Sequence, residues 1–203
     1  MKNIGILAYG SLIEDPGVEI TPLIVSRISD VETPFKIEFA RKSSTRSNAP
    51  TLVCVSEGGS SVKGTILVLN SDISLSEAES LLWRRETRKE NSNLNYTLPT
   101  NPTKNTMIVE HINNFYGLST VLFTKLGANI EYPTGDALAD LAIASAKDDA
   151  GQKNMDGISY LISVKRQGIS TPLMKSYEIE ILKKTNCEDL ESALIACKSI
   201  QKS

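Results

Sequence analysis

Residues 3–12 read NIGILAYGSL, and how this stretch is taken decides the fold. A short apolar run, of strand length and rich in isoleucine and leucine, ends at Tyr9; the chain then passes through Gly10 and Ser11 to Leu12. Two physical explanations fit such a corner. It is either a plain turn out of a strand, or a loop whose backbone amides hold an anionic ligand, with Gly10 permitting close approach of the backbone.

Working outward, FKIEFAR, TLVCVS and VKGTILVLN are also short, apolar or alternating, and bounded by Gly, Ser, Asn or Pro, so the first half predicts strands. EGGSSVKG joins the last two and is expected to be a hairpin loop, since it lacks the order G-x-x-x-x-G-K-[ST] and precedes no helix. At SLSEAESLLWRRETRKE the period changes: Leu75, Ala78, Leu81 and Leu82 share a helical face, and Ser74 with Glu77 forms a capping box. Residues 91–105, NSNLNYTLPTNPTKN, break that helix and predict a lid or an irregular excursion. MIVEHI and GLSTVLFTKL predict two more strands.

The last third is expected to be helical, with Thr134 as an N-cap, a helix in NMDGISYLISVKRQG closed by Gly168, and further helices in PLMKSYEIEILKK and EDLESALIACKSI. Strands first and helices after predict an α+β fold, and 203 residues suit one domain spanning 1–203.

With 40% hydrophobic and 23% charged residues and a net charge of −2, the composition argues against a disordered chain and a strongly basic nucleic-acid binder. No apolar run approaches the roughly 20 residues of a membrane span, and the opening residues enter a strand, so a cytoplasmic chain is expected. Cys54, Cys187 and Cys197 have no metal-ligand spacing and suit reduced thiols; Cys54, within TLVCV, is expected to be a buried structural thiol. The single histidine, His111, is expected to be structural or on the surface. There is no HExxH, CxxC, GxSxG or EF-hand pattern, and no metal or cofactor is called for.

What remains is a helical carboxylate. Glu86 follows Leu82 by four residues and sits at the edge of the apolar stripe, and Arg85 follows Leu81 in the same way. One alternative is a solvated ion pair of Glu86 with Lys89. The other is a general acid/base, which needs apolar surroundings such as Leu82 and Trp83 to favour its protonated form; an arginine at its side acts the other way.

AYGSL at residues 8–12 resembles a signature of the γ-glutamylcyclotransferase-like superfamily, and YGSLIEDPG is similar to the YGSL-I-W-N-P pattern of its ChaC-type branch. Arg85-Glu86 in LLWRRE resembles the branch's R-E pair, in which the glutamate is the catalytic acid/base. KSSTRSNAPTLVCVSEGGSSVKGTILVL resembles its S-T-x-x-P-G-x-x-x-T-L-V segment and following hairpin, and GQKNMDGISYLISVKRQGI its G-x-N-x-x-Y-L-x-x-L helix. Glu14 stands where the branch has tryptophan, and TRKENSNLNY departs from its tyrosine-rich continuation.

The resemblance implies a small mixed β-barrel with surrounding helices. It implies release of 5-oxoproline from a small γ-glutamyl amide or peptide, without cofactor, metal, nucleic acid or membrane. Glu86 would be catalytic; Tyr9, Gly10, Ser11 and Leu12 would bind substrate; Tyr160 would orient it or serve only as a core tyrosine. The rivals are a non-catalytic binding module on the same fold and an open γ-glutamyl transfer. Glutathione, γ-glutamyl amino acids and γ-glutamyl polyamines all stand as substrates, as does a biosynthetic γ-glutamyl intermediate.

Overall fold

The computed structural model describes residues 3–199. Seven strands and seven α-helices follow one another along them: β1 (Ile4–Ala8), α1 (Ser11–Glu14), β2 (Ile24–Glu32), β3 (Lys36–Ser43), β4 (Ala49–Val55), β5 (Lys63–Leu69), α2 (Leu75–Thr87), β6 (Ile108–Phe115), β7 (Leu118–Lys125), α3 (Gly135–Ala146), α4 (Asp149–Gln152), α5 (Gly157–Arg166), α6 (Met174–Thr185) and α7 (Leu190–Ser199). The chain divides into two compact units, Met1–Thr33 with Lys63–Gly127, and Pro34–Val62 with Ala128–Ser203.

The first unit is built on a five-stranded sheet of order β2-β5-β1-β7-β6. β1 lies at its centre, antiparallel to β5 and parallel to β7. All five of its residues are buried, which is why IGILA is apolar without alternation. Ile4, Ile6 and Ala8 pack with Leu67, Leu69 and Leu122 of the sheet and with Ala78, Leu81 and Leu82 of α2. Each such isoleucine or leucine contributes about 1.5–3 kcal/mol on burial. β6 and β7 form a hairpin whose turn residues Tyr116 and Gly117 have φ of 49° and 80°, the left-handed pair that suits the twist of a tight hairpin.

α2 begins as its capping box predicts, with the Ser74 hydroxyl accepting from the Glu77 amide at 3.3 Å. It ends at Arg88, whose φ of 56° reverses the chain so that the Lys89 amide donates to the Arg84 carbonyl at 2.8 Å. The 91–105 stretch is tied back to α2 and the sheet. Arg84 donates to the Leu94 carbonyl at 3.0 Å, the Tyr96 amide to the Ser80 hydroxyl at 3.1 Å, and the Val109 amide to the Tyr96 hydroxyl at 3.1 Å. Around Leu94 and Tyr96 the stretch is thus an anchored excursion.

The second unit holds the antiparallel pair β3-β4 and helices α3 to α7. Thr134 caps α3 through the Ala137 amide, and Gly168, at φ 71°, follows α5, both as expected. The fully buried Asp156 caps α5, accepting from the Ile158 and Ser159 amides at 2.9 Å. Glu38, 2% exposed, is held by the Phe39 and Leu173 amides and by the Thr171 hydroxyl, which fasten the start of α6 to β3.

Several expectations are corrected. EGGSSVKG is no hairpin loop: β4 pairs with β3, while β5 pairs with β1 and β2, so this connection carries the chain from one sheet to the other. Cys54 is half-buried, not buried. β2, α1 and α4 were not anticipated. The strand pairings draw an open sheet with β2 and β6 at its edges, and no ring of strands closes among the described residues, so the architecture shown is a mixed α+β fold with a sheet and helices. No helix among them is long and apolar enough to cross a membrane.

Candidate active site

The candidate site in the first unit starts where β1 ends. Gly10 takes φ 62° and ψ −136°, a conformation that side-chain-bearing residues avoid, so the glycine is there because the backbone demands it. The chain then makes the single helical turn α1, closed by the Asp15 amide on the Ser11 carbonyl at 2.9 Å. Leu12 is buried in the core and pins the turn, so only its backbone is available to a ligand. The Ser11 and Leu12 amides begin the turn and lie outside its own hydrogen-bond ladder. Tyr9 is half-buried and Glu14 exposed.

Two arginines fasten this segment through its carbonyls. Arg27 donates to the Ile13 carbonyl at 3.1 Å, and Arg85 donates from Nη2 to the Asp15 carbonyl at 2.5 Å. The other terminal nitrogen of Arg85, Nη1, meets the Glu86 carboxylate at 2.5 Å. With 11% of the Arg85 and 19% of the Glu86 side chain exposed, this pair is shielded well beyond an ordinary surface ion pair. One guanidinium therefore bonds both Glu86 and the carbonyl of Asp15, three residues past Leu12. Lys89 does not take Glu86; its ammonium lies 4.6 Å from the centre of the Trp83 ring instead.

Around the pair, the last turn of α2 is braced by groups the sequence did not single out. Arg84, 8% exposed, makes a bidentate pair with Glu19 at 2.9 and 3.0 Å. Gly17, at φ 91°, presents its Cα to Arg85 and Glu90; a Cβ there would lie 2.8 Å from Arg85 Cγ and collide with Glu90 Oε1. Asp15-Pro16-Gly17 is a readable turn signal, but the Arg85 that Asp15 meets is 70 residues away and leaves no local pattern.

Tyr160 belongs to the second unit. It is 8% exposed on α5, edge-on to Phe39 at 6.1 Å, with the Arg46 guanidinium carbon 5.0 Å from its ring centre. Phe39 in turn meets Tyr177, whose phenol is pushed well above its ordinary range by complete burial. His111 pairs with Glu79 at 2.7 Å at the edge of the sheet, away from any nucleophile pair. Burial also pushes the Cys197 thiol up. Among the described residues no group of His, Cys, Asp and Glu side chains could hold a metal ion.

No family model matches the chain, and no curated protein does. Among solved structures, the chain is similar over 98% of its length to 99% of the chain in the crystal structure of a γ-glutamyl cyclotransferase specific to glutathione from yeast, at 12% identity and a TM-score of 0.48.

Proposed function

We propose that the chain is a γ-glutamylcyclotransferase that releases 5-oxoproline and a free amine from a small γ-glutamyl amide or peptide. One observation carries this beyond the sequence resemblance: Arg85 bonds both the Glu86 carboxylate and the carbonyl of Asp15, just past YGSL, so the proposed acid/base and the proposed cradle share one support. The substrate's own α-amine attacks its γ-carbonyl. Because the nucleophile is tethered, a five-membered near-attack conformation draws on effective molarities of about 10⁵–10⁸ M.

Glu86 has two proton transfers to perform. As a carboxylate it takes a proton from the α-ammonium, and as the acid it returns one to the departing amine nitrogen; the second proton that the attacking nitrogen sheds also ends on that amine, which leaves as an ammonium. The amides of Tyr9 to Leu12 grip the substrate's α-carboxylate or the oxyanion of the tetrahedral intermediate, with Gly10 allowing the backbone to approach. Tyr160 is the lesser member of the set: its burial against Phe39 favours a core role over contact with substrate.

The test is incubation of the purified chain with glutathione, a γ-glutamyl amino acid and a γ-glutamyl polyamine, with 5-oxoproline measured by mass spectrometry. Glu86→Gln keeps size and hydrogen bonding but not proton transfer, and is expected to lower kcat by about 10²–10⁴-fold. Unchanged release by that variant would remove the mechanism. An open γ-glutamyl transfer product in place of 5-oxoproline would point to a different acyl transfer. Binding without any product would leave a non-catalytic module, a reading favoured by the occupation of Glu86 by Arg85.

A further inference from the structure

Glu90 Oε1 is buried and receives no hydrogen bond among the described residues. A carboxylate oxygen withdrawn from water without a donor is costly, and such groups are few enough in folded proteins that each calls for a cause. The reversal at Arg88 brings Glu90 back along the last turn of α2, where Oε1 lies against Gly17 on the same wall as Arg85 Cγ. The donor-bearing side chain that shares this contact with Gly17 is the arginine that at present serves Glu86. Asp15 offers Arg85 a weaker alternative, since its carboxylate is 3.9 Å away with 81% of the side chain exposed.

We propose that Glu90 is a second seat for the Arg85 guanidinium, making Glu90 a positioning residue that lets Glu86 be released for its proton transfers. The step it serves rests on the cyclotransferase proposal. In the arrangement seen, the guanidinium pairs with Glu86. When the α-ammonium of a γ-glutamyl substrate reaches Glu86, two cations compete for one carboxylate, and the displaced guanidinium needs an anion within a side chain's swing. Glu90 supplies it. No bond is made or broken in the handover; the proton that Glu86 then accepts comes from the ammonium and leaves on the departing amine. Gly17 is the residue that gives the swing room, because any Cβ there would block both side chains.

The handover is tested by side-chain nitrogen NMR of Arg85, alongside kinetics. Neutralising the first seat with Glu86→Gln, with no ligand present, is expected to move the Arg85 signals as the guanidinium transfers to Glu90. Adding Glu90→Gln to that variant is expected to move them again, whereas Glu90→Gln alone leaves them near their wild-type positions. Signals that ignore residue 90 in both backgrounds would overturn the proposal, whether or not the chain makes 5-oxoproline. Where it does, Glu90→Gln is expected to lower kcat about tenfold with KM within about twofold, the pattern of a group that acts after binding. An unchanged kcat would overturn the catalytic role of the second seat. Glu90→Ala substitutes for the glutamine variant should that fail to fold. If wild type makes no 5-oxoproline, the cyclotransferase proposal falls while the NMR result still decides the handover.

Discussion

Gly10 shows how one residue can carry both fold and site. At φ 62° and ψ −136° an alanine would strain the backbone by about 1–3 kcal/mol, because its Cβ crowds the neighbouring carbonyls. Gly10→Ala is therefore expected to lower the unfolding free energy by that amount in urea titrations and to weaken binding of a γ-glutamyl compound. Wild-type affinity and turnover in a folded Gly10→Ala chain would show that the turn holds no anion. Gly10 was legible in the sequence because its cause is local: a strand ends and the backbone must turn. Glu86 was legible for the same reason, as a position on a helical stripe. Its partner was legible only in part: Arg85 stood beside it, helix spacing offered Lys89, and nothing local showed that Arg85 would take Glu86 while Lys89 settled on Trp83. Glu90 carried no local signal at all; its burial depends on Gly17, far away in sequence.

At the scale of elements, α2 is where local and distant forces meet. Its start is local, and Ser74→Ala is expected to cost about 0.5–2 kcal/mol by leaving the Glu77 amide without its acceptor. Its end is held from a distance by Arg84, whose bidentate bonds to Glu19 and third bond to Leu94 clamp two loops at once. Arg84→Met leaves Glu19 without its partner, and a destabilisation of about 3–5 kcal/mol is expected in chemical denaturation. A cost below about 1 kcal/mol, the range of exposed pairs, would mean that the clamp is slack. The strands tell the same story. β1 and β5 were readable because burial makes them apolar runs. β2 was missed because it is an edge strand, mostly exposed and interrupted by two register shifts, so it shows neither alternation nor an apolar run. The link from β4 to β5 was misread as a hairpin because a glycine-rich connection says that two strands are separated, not which strands they pair with. Partner choice is fixed by the rest of the sheet.

For the whole molecule, ligand binding can be read as a gain in stability. The chain's one tryptophan, Trp83, lies on α2 beside Glu86 and packs against Tyr96, 6.4 Å away, so its fluorescence reports the first unit. A ligand that binds only the folded state stabilises by RT ln(1 + [L]/Kd), about 2.7 kcal/mol at 100 times Kd. Glu86→Gln is suited to the measurement because it should hold an uncleaved γ-glutamyl compound. In a chain of this size each kcal/mol moves the melting midpoint by about 2–4 °C, so the Trp83 transition of the variant should rise by roughly 5–10 °C at saturating ligand. Adding Gly10→Ala should abolish the rise, since it removes the proposed cradle while leaving the tryptophan in place. A rise that survives Gly10→Ala would put the γ-glutamyl group somewhere other than the YGSL turn. The absence of any rise in Glu86→Gln, at ligand concentrations where wild type is active, would separate substrate binding from the first unit altogether.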